Sequence, residues 1–340
     1  MKRERKGIFY TLHKVLSYWW AWLIVIIGAR QRGKTYSCQK WLLNGWIKDK
    51  TQFAILRDTE AECDELCVDD GMQFWGDVLE IKKFSKLKIT TKGTTIYIDG
   101  EVAGYVRPVS MFRKFKGTKY ARVKHFLYDE FIREKGARYN GDRAIQFLNT
   151  LITMGSLRKD WKIILTANAL DKGDTILCDV LKFNLDDFGI YKDRQRGIVL
   201  EYVSNNEDFE AYRASSNVYK LLKGTRFEKN LLDNKFADDN TGMFYTKRKP
   251  CDLYGIYYSR DNVAVRVYQS RDGEEWYCTR DTNPNTATYM RYTFDMKEKN
   301  HRIQYAGKDE QKFLQNLYKN NLIKFENSYI LKLYKEIITM

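Results

Sequence analysis

Gly28-Ala29-Arg30-Gln31-Arg32-Gly33-Lys34-Thr35 fits the spacing G-x-x-x-x-G-K-[ST] in full. Two glycines at that separation let the intervening backbone N–H groups turn inward around a phosphate. A helix that opens there adds positive potential. The lysine would reach the β- and γ-phosphates of ATP, and the threonine hydroxyl would ligate Mg²⁺. All eight residues are therefore candidate nucleotide ligands, with Thr35 also a metal ligand. Because so short a pattern arises by chance, its surroundings matter. An apolar run, residues 22–27, precedes it, and residues 35–48, with Trp41, Leu42, Leu43 and Trp46 among the apolar positions, follow it. Strand, loop, helix is the order that this chemistry needs.

A phosphate loop also needs acids at the tip of a neighbouring buried strand. Residues 123–128 are strand-like and end in Asp129-Glu130. Asp129 would hold the magnesium through its water shell, and Glu130 would orient and deprotonate the attacking water. A third apolar run, residues 161–166, leads into Ala167-Asn168. A polar side chain there can contact the lytic water or the γ-phosphate, so Asn168 is a sensor candidate.

The elements that must position these groups alternate between strand and helix. Residues 53–57 read as a second strand and 60–68 as a helix. Three short strands follow at 87–90, 95–99 and 102–107, the last two turning at Asp99-Gly100. Residues 142–157 suit a helix. Beyond Ser204 the character changes. Residues 205–240 are charged and mainly helical, and from Cys251 the pattern becomes strand-rich at 253–258, 264–269 and 275–279, with helices at 309–320 and 330–338. The division expected is an α/β phosphate-loop domain over 1–204, a connecting segment over 205–240, and a smaller α+β domain over 241–340.

Bulk composition narrows the partners. The chain has 340 residues and a formal net charge of +15, which attracts nucleic acid or an anionic membrane surface. The densest basic run, residues 113–124, interleaves aromatics and a single glycine, as suits a loop that meets DNA; Lys114, Lys116, Lys119 and Arg122 are its candidate contacts. Six scattered cysteines and three histidines supply no zinc spacing. The basic start and the apolar run before the loop imitate a signal peptide. However, that run falls short of the about 20 residues needed to cross a bilayer, so neither secretion nor a membrane partner is expected.

With these residues in view, the sequence resembles the DNA-packaging ATPases of small tailed phages with protein-primed linear genomes, the phi-twenty-nine type. Gly28–Ser37 and, more specifically, the Asp129–Lys135 run DEFIREK carry the resemblance, which covers roughly the first 170 residues. It implies a P-loop NTPase core of the ASCE type and a C-terminal domain with the RNase H-like fold and no cleavage activity. It also implies a homo-oligomeric ring, a pentamer, at the portal of an empty procapsid in the host cytoplasm, pumping double-stranded DNA inward with ATP and Mg²⁺. A structural packaging RNA as a further partner stays open. By the same resemblance Arg57 holds the catalytic glutamate away from water until DNA engages, and Lys116 is a functional basic residue. An arginine finger acting on the neighbouring subunit falls near Ser156 in ungapped register; Arg158 is the residue chosen here, with Arg143 and Arg138 next.

Three other readings compete: a large terminase with an active metal-dependent nuclease, a nucleotide-switched DNA-binding protein with little turnover, and a membrane-surface ATPase. Six acids, Asp252, Asp261, Asp272, Glu274, Glu275 and Asp281, are available to a nuclease. Most stand at turn-like positions, which favours a domain that binds without cutting.

Overall fold

The computed structural model describes residues 7–115, 120–133, 143–155, 158–169, 174–183, 185, 187–224, 244–245, 247–259, 263–281, 290–296 and 302–340. Lys116, Lys119, Lys135, Arg138, Ser156 and Asp261 lie outside them. The chain forms two compact units, one of Met1–Asp171 with Asp179–Ala237 and the other of Lys172–Cys178 with Asp238–Met340.

The first unit is built on a nine-stranded sheet. In chain order its strands are β1 (Leu23–Gly28), β2 (Gln52–Arg57), β3 (Ile89–Lys92), β4 (Thr95–Ile98), β5 (Glu101–Pro108), β6 (Val123–Asp129), β7 (Lys162–Asn168), β8 (Gly189–Asp193) and β9 (Ile198–Tyr202). Their spatial order is β3-β4-β5-β2-β6-β7-β1-β9-β8. The six strands from β5 to β9 in that order are mutually parallel, and the antiparallel pairs lie at the two ends. Every residue of β1 is buried. A continuous apolar run is what a central parallel strand, covered on both faces, requires.

Several elements of this unit differ from the sequence reading. The helix expected over 60–68 ends at Glu65, after a start capped reciprocally by Thr59 and Glu62. Asp69, Asp70 and Gly71 then take left-handed backbone at φ 51°, 58° and 73°, which no helix continues. A further helix, Met72–Leu79, follows them. Strands β8 and β9 went unread, because five-residue runs carry too little period to separate strand from loop. Finally, β6 is not the neighbour of β1: β7 stands between them, bonded to both.

The helix after the loop, α1 (Lys34–Asp49), buries Cys38, Leu42, Leu43 and Trp46 against the sheet. Its Trp41 stacks on His125 of β6 at 4.0 Å between ring centroids. Burial pushes His125 down to about 4 from the usual 6.5, against the pull of Asp49. Between those two values the unfolded chain binds a proton that the folded chain refuses. Stability from this site is therefore full above pH 6.5 and lost as pH falls toward 4, by up to about 3 kcal/mol. Denaturant midpoints at pH 7.5 and pH 5 should show that decline in the wild type and a shallower one in His125→Phe.

The second unit has a six-stranded sheet ordered β14-β13-β10-β11-β12-β15. Its strands are β10 (Cys251–Tyr258), β11 (Ala264–Ser270), β12 (Trp276–Arg280), β13 (Arg291–Thr293), β14 (Gln304–Tyr305) and β15 (Ile323–Phe325). The first three form an antiparallel meander; β13 joins β10 in parallel, and β14 joins β13. Helices Lys308–Lys319 and Ser328–Ile338 contribute Leu314, Leu317, Tyr334 and Ile337 to its core. Among the described residues, no helix is long and apolar enough to cross a membrane.

Candidate nucleotide site

Because β6, β7 and β1 are parallel and in register, their C-terminal ends come level. Gly28 stands opposite Asn168, and Asp129 opposite Thr166. Open parallel sheets hold their ligands at this edge.

The loop leaves β1 and turns through Gln31 at φ 62° and Gly33 at φ 86° before α1 begins. Lys34, 7% exposed, curls back over it. Its Nζ donates to the carbonyls of Gly28 (3.0 Å) and Ala29 (2.6 Å) and to Asn168 Oδ1 (3.1 Å). Burial lowers the Lys34 pKa to about 8, opposed by the charges of Asp129 and Glu130. The sensor candidate thus meets the loop lysine directly.

Asp129, 3% exposed, joins four elements. Its Oδ1 accepts from Thr35 Oγ1 at 2.9 Å and from the hydroxyl of Thr166, and its Oδ2 accepts from Arg57 Nη2 at 2.9 Å. A hydroxyl and a carboxylate in contact are hard oxygen donors of the kind that hold Mg²⁺ together with phosphates and water. Among the described residues, no cluster of three or more His, Cys, Asp or Glu side chains is arranged to hold a metal unaided.

Glu130 is different in character. Its side chain is 64% exposed, and its Oε2 accepts from Arg57 Nη1 at 2.5 Å. Its backbone is left-handed at φ 59°, uncommon for a residue with a Cβ and costing of order 1–3 kcal/mol. Its neighbour Phe131 is held on both sides: the N–H donates to the Thr166 carbonyl at 3.1 Å, and the carbonyl accepts from Arg143. Arg57 therefore spans both acids from the end of β2.

Two participants escaped the sequence reading. Thr166 lies two residues before Asn168, so on a strand both face one side; that alternation could have found it. Asp58 carries no such signal. It is 3% exposed and accepts from the Tyr128 hydroxyl, from Arg133, and from Arg143 at 3.1 Å. Its partners lie 70 or more residues away.

Other chosen residues stand elsewhere. Arg158 donates to the carbonyls of Ala121 (2.9 Å), Val123 (3.0 Å) and Met154 (3.2 Å). Val123 opens β6 and Asp129 closes it, so the guanidinium lies at the far end of that strand from the acids. Lys114 pairs with Glu60 at 3.0 Å, and Arg122 is exposed. In the second unit the acids are engaged by cations: Asp252 by Arg271 (3.2 Å), Asp272 and Glu274 by Lys249 (3.0 and 3.5 Å), Glu275 by Lys324 (2.9 Å), and Asp281 by Arg266 (2.8 Å).

A large, mostly parallel sheet with its polar groups gathered at one strand edge defines an α/β protein. The chain belongs to the family of the podovirus DNA encapsidation protein (Gp16), whose profile matches residues 4–339, and its function is phage DNA packaging. It is similar to the DNA packaging protein of Bacillus phage phi29, at 27% identity over 98% of this chain and 97% of that one. The DNA packaging protein of Bacillus phage B103 is 25% identical over 79% and 81%. The chain's fold matches a chain of the bacteriophage Phi-29 viral genome packaging motor assembly, with a TM-score of 0.67 and 21% identity over 98% of this chain and 99% of that one. The N-terminal domain of the DNA packaging ATPase from bacteriophage phi29 aligns at TM-score 0.50 and 28% identity, covering 59% of this chain and 99% of that domain. The resemblance read from the first 170 residues thus extends through the second unit.

Proposed function

We propose that this chain is the ATPase of a packaging motor, hydrolysing Mg²⁺-ATP to drive double-stranded DNA into a procapsid. The observation that carries this reading is the position of Asp129, bonded at once to the loop residue Thr35 and to Arg57. The interposition of β7 between the loop strand and the acidic strand supports a core of the ASCE type.

Residues 28–35 would cradle the triphosphate, with Lys34 exchanging its carbonyl partners for phosphate oxygens. Thr35 and Asp129 would hold Mg²⁺, which supplies charge neutralisation on the transferring phosphoryl group. Glu130 would take the proton of the attacking water once Arg57 releases it, so the arginine acts as a brake. Asn168, bonded to Lys34, would report on the γ-phosphate. Lys114 and Arg122, with Lys116 and Lys119, would meet the DNA backbone. Arg158 would serve a neighbouring subunit only after leaving the carbonyls of Ala121, Val123 and Met154.

We further propose the division 1–204, 205–240 and 241–340, with an RNase H-like third part that does not cut. A three-strand meander with two further strands stacked in parallel beyond its first member supports that fold. The cation-paired acids support the missing cleavage. The working form would be a pentameric ring at the portal, in the host cytoplasm. Steady-state phosphate release with and without double-stranded DNA tests the central reading. Release should rise severalfold with DNA, and turnover no faster than that of Lys34→Ala under both conditions would overturn it.

A further inference from the structure

Glu130 has to aim a carboxylate at water from an exposed side chain and a left-handed turn. Its side chain is held by Arg57, and in the proposed mechanism that bond opens before Glu130 can act. Once it opens, the turn loses that support. A strained backbone persists only where its surroundings over-determine it, so the hold must fall on the residues to either side.

Asp58 supplies such a hold. It follows Arg57 directly at the end of β2, yet it reaches a different set of partners. Its Oδ1 accepts from the hydroxyl of Tyr128, the residue before Asp129. Its Oδ2 accepts from Arg133 Nε, beyond Glu130, and lies 3.1 Å from Arg143 Nη2. The same Nη2 donates to the carbonyl of Phe131. One buried carboxylate thus grips the chain before the two acids and, directly or through one guanidinium, after them.

These grips are firm. Tyr128 and Phe131 are fully buried, and the side chains of Arg133 and Arg143 are 17% and 11% exposed. Charge-assisted hydrogen bonds at that depth are strong, and removing one partner of a buried pair is costly. Asp58 is itself anchored, because its carbonyl accepts from the Ser110 N–H at 3.1 Å. Arg133 Nη2 also donates to Glu62 at 3.2 Å, the residue that closes the helix cap with Thr59. A group that orients another must have its own position fixed in this way.

The geometry points to Asp58 as the positioning residue of Glu130. It acts at one remove from the chemistry, by fixing residues 128, 131 and 133 so that the turn at 130 keeps its aim while Arg57 moves away. This rests on Glu130 being the general base.

The test is single-turnover hydrolysis of Mg²⁺-ATP by the full chain with double-stranded DNA, read beside the Kd for Mg²⁺-ATP. Asp58→Asn should slow hydrolysis roughly ten- to hundred-fold and leave the Kd within about three-fold. Tyr128→Phe keeps the buried ring and loses only the hydroxyl; it should slow hydrolysis about three- to ten-fold, and it carries the test if Asp58→Asn does not fold. A residue that acts through Glu130 has nothing left to position once that carboxylate is gone. Either change added to Glu130→Gln should therefore slow hydrolysis by less than about two-fold more. A wild-type rate in Asp58→Asn, or in Tyr128→Phe should the first not fold, overturns the proposal. So does a loss that appears in the Kd instead of the rate, or the full slowing repeated in the Glu130→Gln background. Hydrolysis at the wild-type rate by Glu130→Gln alone is a separate result, which ends the general-base reading and the role of Asp58 with it.

Discussion

Glu130→Gln is expected to keep ATP bound while its hydrolysis falls by about 10²–10⁴-fold, the usual contribution of a positioned general base. Glutamine preserves length and the oxygen that accepts from Arg57 Nη1, so the arm that now joins Arg57 to both acids can remain closed. It has the same backbone demand at φ 59° as any residue with a Cβ, which leaves the turn after β6 as it was. What it lacks is basicity. Single-turnover phosphate release, read beside nucleotide retention on a filter, separates chemistry from binding. Hydrolysis at the wild-type rate would remove Glu130 from the mechanism and leave its strained backbone without a catalytic explanation.

Lys34→Ala should raise the Kd for ATP by about 10²–10³-fold, the loss of two charge-assisted hydrogen bonds at roughly 1.5–3 kcal/mol each, taken near the lower end. The amine is buried, and it already points its protons at Gly28, Ala29 and Asn168. Burial has also brought its pKa down to about 8, which adds a pH signature. The ammonium form binds phosphate and is lost as pH rises through that value. The wild-type Kd should stay level below pH 7.5 and climb roughly ten-fold by pH 9, with the one-proton slope of a single group. The alanine variant should show no such climb. Fluorescence titration of Mg²⁺-ATP across that range reads both effects, and an identical alkaline rise in the variant would assign the titration to another group.

Residues close in sequence were the legible part of this molecule. The loop could be read because eight consecutive residues, an apolar strand before them and a helix after them state their own geometry. Asp129, Glu130 and Asn168 could be read as strand tips for the same local reason. The resemblance in DEFIREK extended that reading to Arg57, whose bonds to Asp129 and Glu130 the fold then supplied.

Tertiary structure alone decided who meets whom. Nothing in the spacing says that β7 enters between β6 and β1, and only that insertion brings Asn168 onto Lys34 and Thr166 onto Asp129. Asp58 has no pattern of its own; it matters through arginines and a tyrosine delivered by β6 and by the chain that follows it. The resemblance puts an arginine finger near Ser156 and makes Arg158 its candidate, but the fold engages that guanidinium with three carbonyls at the opposite end of β6. The reason is one of range. Backbone preferences and hydrophobic period act over a few residues, whereas the bonds that assemble this site join positions 94, 72 and 134 apart, and only sheet order and register select such partners.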